Sequence, residues 1–174
     1  MQVQAQSGAG QRMKKSKVPV FVGIDPGSEG AVAVIDGECN VLLIADLEKD
    51  ENTGATDALA LQTALAPFAG RIAGFCVEQP TAFIKNSHAM LRLGMSFGVC
   101  CAIGQTSSPA LILYPTPRRW KSAMGLSADK DESTSLAADA FMNLPKRMRH
   151  DKAEALLLAL YCLTEHEQLE KVGI

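Results

Sequence analysis

The chain has 174 residues, of which 47% are hydrophobic and 21% are charged, and its formal net charge is −2. A chain of this length and balance can bury the core of a single globular domain, and its composition excludes a disordered chain. No run of about 18 uncharged apolar residues is present, so we expect neither a membrane-spanning segment nor a membrane partner. No apolar core follows the basic residues near the N-terminus, and the five cysteines form no CxxC pair, so we expect an intracellular protein with reduced thiols.

Apolar periodicity and turn residues divide the chain into alternating strands and helices. Residues 1–17 are polar, basic and rich in Gly, Ser and Gln, which predicts a disordered tail before one domain of residues 18–174. The predicted strands are residues 18–24, 31–35, 41–47, 72–77 and 110–114. The predicted helices are residues 57–68, 87–103, 118–124, 130–142 and 150–166. The first three strands favour an antiparallel meander and the later crossovers require parallel pairing, so we predict an α/β fold with a mixed sheet.

The distribution of charge is more informative than its sum. A net charge of −2 does not indicate a nucleic-acid partner, but residues 117–152 carry eight bases against five acids. A local basic surface on a near-neutral protein is compatible with binding a polyanion. A simple solvated face is the alternative that charge alone leaves open.

Acidic side chains stand where several apolar elements end or begin. Asp25 closes the first strand and Glu78 the fourth, while Asp151 and Glu154 share one face at the start of the last helix because they are three residues apart. Each has a simpler explanation, namely a turn, a surface charge or a favourable interaction with the helix dipole. Together they predict carboxylates that converge at one edge of the sheet, where Mg²⁺ would relieve their repulsion. Two such ions about 4 Å apart are the arrangement that cleaves phosphodiesters.

Four segments of the sequence stand out, and together they span about residues 20–161: GIDPGSEGAVAVID, VEQPTAFIKNSHAMLRLGMSFG, ADKDES and HDKAEALLLALY. They resemble the four blocks of RuvC-type Holliday junction resolvases, which belong to the RNase H-like (retroviral integrase) superfamily. The second segment is the most specific, with an acid at a strand end, a Lys-Asn loop and a helix bearing LGxxxG. Glu154 stands where bacterial members usually have Asp, and with Trp120-Lys121 the pattern is closest to phage and chloroplast members.

The resemblance implies a five-stranded mixed β-sheet flanked by α-helices and a two-metal active site. By position, Asp25, Glu78, Asp151 and Glu154 match the four metal-binding acids of the family, with Asp25 bridging two Mg²⁺ ions for which Mn²⁺ would substitute. Lys130 matches a lysine close to the scissile phosphate, where its charge would stabilise the transition state. The alternative is an exposed lysine at a helix start.

The resemblance also implies a set of DNA contacts. The loop after Glu78 would enter the open centre of the junction, with Phe83 as an apolar wedge in place of lost base stacking. Phe83 in the core is the alternative, and Trp120 is more simply a core residue than a DNA anchor. The expected DNA-binding residues are Phe83, Lys85, Asn86, Arg118, Arg119, Lys121 and Lys130.

Two glycines interrupt the helix predicted at residues 87–103. Gly94 and Gly98 each cost about 1 kcal/mol in a helix interior, which suggests close approach of another backbone. In the resembling family a homodimer forms around this helix, so Leu91, Gly94, Met95 and Gly98 are the expected interface. Close packing of the helix on the sheet of the same subunit is the alternative.

The function that these features favour is resolution of four-way (Holliday) or branched DNA junctions by symmetric, metal-dependent hydrolysis during recombination, repair or DNA processing. Such an enzyme would be cytoplasmic and associated with the nucleoid in a bacterium or phage, with an organelle as the other possibility. A general RNase H-like nuclease acting on branched DNA or RNA–DNA hybrids is the alternative. An actin-like ATP-binding module shares the opening strand and turn, but that class needs two such domains and a longer chain.

Overall fold

The computed structural model describes residues 18–81, 86–127, 129–145 and 147–173. Three features of the sequence-based interpretation lie outside the described residues. They are the basic tail of residues 1–17, the loop residues Phe83 and Lys85, and the side chain of Lys130. Asn86 and the remaining candidate residues are described.

Five strands form a single mixed sheet, as the sequence predicts. They are β1 Val20–Asp25, β2 Ala31–Asp36, β3 Val41–Asp46, β4 Ile72–Val77 and β5 Leu111–Leu113. The order across the sheet is β3-β2-β1-β4-β5, with β1, β2 and β3 antiparallel and with β4 parallel to both β1 and β5. Strand β1 therefore lies at the centre, where the antiparallel meander meets the parallel half.

Five helices flank the sheet. They are α1 Ala58–Leu65, α2 Ser87–Thr106, α3 Pro117–Ala123, α4 Lys130–Ala140 and α5 His150–Lys171. The end of the first predicted helix is a separate 3-10 turn, Ala66–Phe68, because Pro67 has no N–H to continue the α-helical hydrogen bonds. No helix in the described ranges has the length and apolarity that crossing a membrane requires.

Two apolar layers cover the two faces of the sheet. Alternate residues of β1 enter different layers, with Phe21 on the side of α5 and Val22 on the side of α1 and α2. Strand β1 is consequently buried along its whole length and reads as a nearly continuous apolar run.

Gly23 allows α5 to contact β1 directly. A Cβ atom at this position would lie 2.1 Å from the carbonyl oxygen of Ala155 and 2.3 Å from the amide nitrogen of Ala159. Since both are backbone atoms of a long helix, no side-chain movement can make room. The position of the start of α5 relative to the end of β1 thus depends on a residue without a side chain.

Replacing Gly23 by Ala should therefore destabilise the protein by more than about 3 kcal/mol, in the range of severe overpacking. Urea denaturation followed by circular dichroism would measure the change. Gly37→Ala is the matched control because a Cβ there meets nothing within 4 Å. Equal stability of the two variants would contradict the close approach of α5 to β1.

Candidate active site

Three chain segments bring acidic side chains to one edge of the sheet. Asp25 is the last residue of β1, and Glu78 directly follows the parallel neighbour β4. The Glu78 amide donates to the carbonyl oxygen of Ile24 at 2.9 Å, so the two strand ends are in register. Asp151 and Glu154 lie on the first turns of α5 and are buried, as is Asp25. The structure thus places all four candidate acids in one electrostatically coupled cluster.

Salt bridges fix the start of α5 over this edge. Asp46, at the end of β3, accepts from the Arg149 guanidinium at 2.9 Å and from the Lys152 ammonium at 3.0 Å. Arg149 also donates to the carbonyl oxygen of Glu29 in the turn between β1 and β2, at 2.9 Å. These contacts are exposed and each contributes little stability, but together they orient the first turn of the helix.

The Asp25 carboxyl loses its proton at a higher pH than a solvent-exposed aspartate does. Burial is the main cause and raises its pKa from 3.8 to about 6, with the negative charges of Glu154 and Asp151 adding to the shift. A hydrogen bond from the Gly27 amide, 2.9 Å long, and the nearby His150 oppose it. Ionisation of Asp25 is therefore less favourable here than in water, and a nearby positive charge would favour it.

Glu78 shows the same effect more strongly. Burial, followed by the charge of Asp25, raises the pKa of Glu78 from 4.5 to about 7. The indole Nε1 of Trp120 donates to its Oε2 at 2.6 Å, and this hydrogen bond together with the Lys121 charge partly offsets the rise. Trp120 is fully buried, so it cannot serve as a DNA anchor and instead contributes to the site from within the core.

Lys121 lies inside the acidic cluster. Its ammonium is 2.6 Å from Glu154 Oε1, and both side chains are about nine-tenths buried, with 14% and 10% exposed. The Ser133 hydroxyl approaches the same oxygen at 3.5 Å. Lys121 is expected from the sequence to contact DNA, but here it neutralises a candidate metal ligand.

The other predicted nucleic-acid contacts are distributed around the cluster. Arg118 and Arg119 are exposed on α3. Asn86 is the N-cap of α2, and its side chain accepts from the amides of His88 and Ala89 at 3.0 and 3.3 Å. His150 begins α5 and places its Nε2 2.8 Å from Asp151 Oδ1.

The donor set suits a hard divalent cation. Its four groups are carboxylates, and within the described residues Asp151 Oδ2 is buried without a hydrogen-bond donor, the Arg149 guanidinium being 3.7 Å away. In the described part of the chain, however, no three Asp, Glu, His or Cys side chains are grouped closely enough to enclose an ion. Glu78 and Glu154 are engaged instead by the donors of α3.

Sequence reasoning finds the acids but not the two α3 residues that hold them. The available signal is the adjacent pair Trp120-Lys121 just after a Pro-initiated helix start. A buried indole N–H needs an acceptor, and a buried ammonium needs a counter-ion. A short helix carrying both therefore indicates nearby carboxylates.

No protein-family model and no curated protein matches the chain. Among solved structures, RuvC of Thermus thermophilus in complex with a Holliday junction substrate is similar, with a TM-score of 0.63 and 20% identity over 89% of this chain and 96% of that one. A second structure of Thermus thermophilus RuvC gives a TM-score of 0.62 and 21% identity, covering 88% and 96%. The chain therefore has the RNase H-like α/β fold of RuvC, a five-stranded mixed sheet flanked by helices.

The raised pKa of Asp25 predicts a pH-dependent stability. The folded protein holds this proton more tightly than the unfolded chain does, so the associated stability is present below about pH 4 and is lost as the pH rises to about 6 and beyond. Asp25→Asn should then stabilise the metal-free protein by about 1–3 kcal/mol at pH 8, with a smaller gain at pH 4. Urea denaturation in EDTA at both pH values would measure this.

The exposed Asp139 offers the control, since Asp139→Asn should change little at either pH. Destabilisation of Asp25→Asn by the same amount at pH 4 and pH 8 would contradict the electrostatic coupling of the cluster.

Proposed function

We propose that this protein is a structure-selective endonuclease that resolves four-way DNA junctions by metal-dependent hydrolysis. The observation that carries the proposal is the convergence of four carboxylates from β1, β4 and α5 at one edge of an RNase H-like sheet. The fold similarity to a RuvC that was solved with a Holliday junction supports the choice of substrate.

Asp25, Glu78, Asp151 and Glu154 would hold the metal. Two Mg²⁺ ions, or Mn²⁺ in their place, would supply an activated water and stabilise the leaving 3′ oxygen. The protein itself would contribute a buried group of carboxylates whose negative charge a bound cation would neutralise. The raised pKa values of Asp25 and Glu78 support this role.

Exposed bases around the cluster would hold the DNA backbone. Arg118 and Arg119 on α3 have the exposure for phosphate contacts. Asn86, the N-cap of α2, would be a further polar contact to the DNA. Phe83, Lys85 and Lys130 keep the roles that the resemblance implies, as a wedge, a backbone contact and a charge near the scissile phosphate.

Resolution of a junction requires two symmetric cuts, whereas one chain contributes one candidate active site. A two-fold homodimer would supply the second site in the required symmetric position. The glycines of α2 support it, because a Cβ at Gly94 or Gly98 would meet nothing within 4 Å. Gly104 is the glycine of α2 that serves packing on the sheet, since a Cβ there would lie 2.7 Å from Phe75. Leu91 and Met95 are 62% and 38% exposed beside the two free glycines.

Loss of any one acid should slow cleavage by orders of magnitude while leaving junction binding largely intact, because affinity depends mainly on phosphate contacts. The four variants are Asp25→Asn, Glu78→Gln, Asp151→Asn and Glu154→Gln. Each should lower the single-turnover rate on a labelled four-way junction in Mg²⁺ by at least about 100-fold. Asp139→Asn is the control and should cleave like the wild type.

Duplex DNA and an RNA–DNA hybrid belong in the same experiment. Wild-type rate in Asp25→Asn would contradict the assigned acids. Equal rates on all three substrates would favour the general nuclease instead of a resolvase.

Sedimentation of the wild-type protein should show a dimer near twice 18.5 kDa. Met95→Glu should give a folded monomer that nicks one strand or fails to bind junctions, since a buried unpaired charge at the interface is unfavourable. Leu59→Glu is the matched control, because Leu59 is 72% exposed on a different helix, α1, and should leave the dimer intact. A wild-type monomer that still makes paired cuts would contradict the two-fold arrangement.

A further inference from the structure

A cleft of about 330 Å³ lies directly beside the acidic cluster, on the other side of Asp25 from α5. Its walls come from the turn after β1, the loop between β3 and α1, and the first half of α2. The polar lining residues that matter here are Ser28, Lys49 and Arg92.

Two cations line this cleft without a salt bridge, and Asp25 is the one acid whose charge acts on the Lys49 ammonium among the described residues. In the described part of the chain neither Lys49 nor Arg92 forms a salt bridge. The half-buried Lys49 ammonium donates to the carbonyl oxygen of Gly27 at 3.2 Å, which leaves two of its protons for another acceptor. Partial burial of a cation is unfavourable unless an anion compensates it.

The loop that carries Lys49 has a fixed shape. Lys49 and Thr56 form an antiparallel bridge across it, and the Thr56 amide donates to the buried Ser96 hydroxyl of α2 at 2.9 Å. Gly54 has a φ of +66° and lies so close to Arg92 that a Cβ would be 3.0 Å from its Cδ. The loop therefore holds Lys49 and the stem of Arg92 in place together.

None of the acids of the same loop, which include Glu48 and Glu51, forms a salt bridge with either cation among the described residues. Asp50 accepts from the amide and hydroxyl of Thr53, at 2.9 and 2.8 Å. Asp57 caps α1 by accepting from the Ala60 amide at 3.0 Å. The cleft consequently presents positive charge within a loop that is otherwise acidic.

We infer that this cleft binds a backbone phosphate of the DNA next to the phosphate that is cut, an inference that rests on the proposed function. Lys49 and Arg92 supply charge-assisted donors and Ser28 a hydroxyl, while Pro26 and Leu93 offer apolar contact for a deoxyribose.

The turn after β1 connects the cleft to the acids. Gly27 accepts from Lys49 through its carbonyl oxygen and donates from its amide to Asp25 Oδ1. A strand whose phosphate occupies the cleft is therefore held at a fixed distance from Asp25. The cleft would set the register of the DNA strand relative to the carboxylates. The carboxylates cannot do this themselves, because their negative charge repels the DNA backbone.

The face of α2 that lines this cleft differs from the proposed dimer face. Ala89, Arg92 and Ser96 recur at spacings of three and four residues, whereas Leu91, Met95 and Gly98 recur at spacings of four and three residues, offset from the first row by two or three positions. At 3.6 residues per turn these two rows lie on different sides of the helix. One helix can accordingly contact DNA and a second subunit at once.

The test measures junction binding in an Asp25→Asn background, so that no strand is cut. Lys49→Ala and Arg92→Ala should each weaken binding about 10-fold and reduce the salt dependence of log K by about one unit, as for one lost phosphate contact. Lys171→Ala is the matched control, because Lys171 lies at the far end of the 22-residue α5 and should leave both quantities unchanged.

A scan with single methylphosphonates along the cut strand separates a phosphate contact from a structural effect. Neutralising one phosphate near the cut site should weaken junction binding by the Asp25→Asn reference protein. The same substitution in the DNA should cause no further loss of binding when Lys49→Ala is added, whereas substitutions at other contacted phosphates should still weaken binding. A Lys49→Ala protein whose methylphosphonate profile equals that of the reference would overturn the phosphate site. If the phosphate site is overturned in this way but the wild-type protein cuts junctions, the proposed function still holds without it. Failure of the wild-type protein to bind or cut junctions would overturn both the proposed function and the phosphate site.

Discussion

The direct contact of α5 with β1 at Gly23 determines where the acids of this protein meet. Because the backbones touch, the first turns of α5 lie over the carboxyl end of β1, and Asp151 and Glu154 are buried next to Asp25. Parallel pairing of β4 with β1 then adds Glu78 from the other side. Each contact is a simple packing requirement, yet together they concentrate four carboxylates where water is largely excluded.

Such a concentration of negative charge is unfavourable, and two donors on α3 offset part of this electrostatic cost. Trp120 donates to Glu78, and Lys121 neutralises Glu154 from within the cluster. These two donors hold the Glu78 and Glu154 side chains in fixed positions among the described residues. The arrangement is therefore one in which burial and like charge are partly offset by a neighbouring indole and ammonium.

The fold and the four acids follow from local patterns, whereas their electrostatic partners do not. Strand β1 is recognisable because burial on both faces leaves an apolar run that ends at Asp25. Helix ends were less predictable: α2 continues through Gly104, which contacts Phe75, and α5 continues to Lys171 because the left-handed residue that ends it is Gly173. The position of Lys121 beside Glu154 depends on how a seven-residue helix docks, which periodicity cannot specify.

Whether the four carboxylates act as one divalent-cation site can be measured without DNA, by titrating the protein with Mn²⁺ and following free Mn²⁺ by electron paramagnetic resonance. Saturable uptake by the wild type, competed by Mg²⁺ and largely lost in both Asp25→Asn and Glu78→Gln, is the expected result, since Asp25 ends β1 and Glu78 follows β4. Asp139→Asn should bind Mn²⁺ like the wild type. Unchanged uptake in Asp25→Asn would contradict a shared metal site at this edge of the sheet.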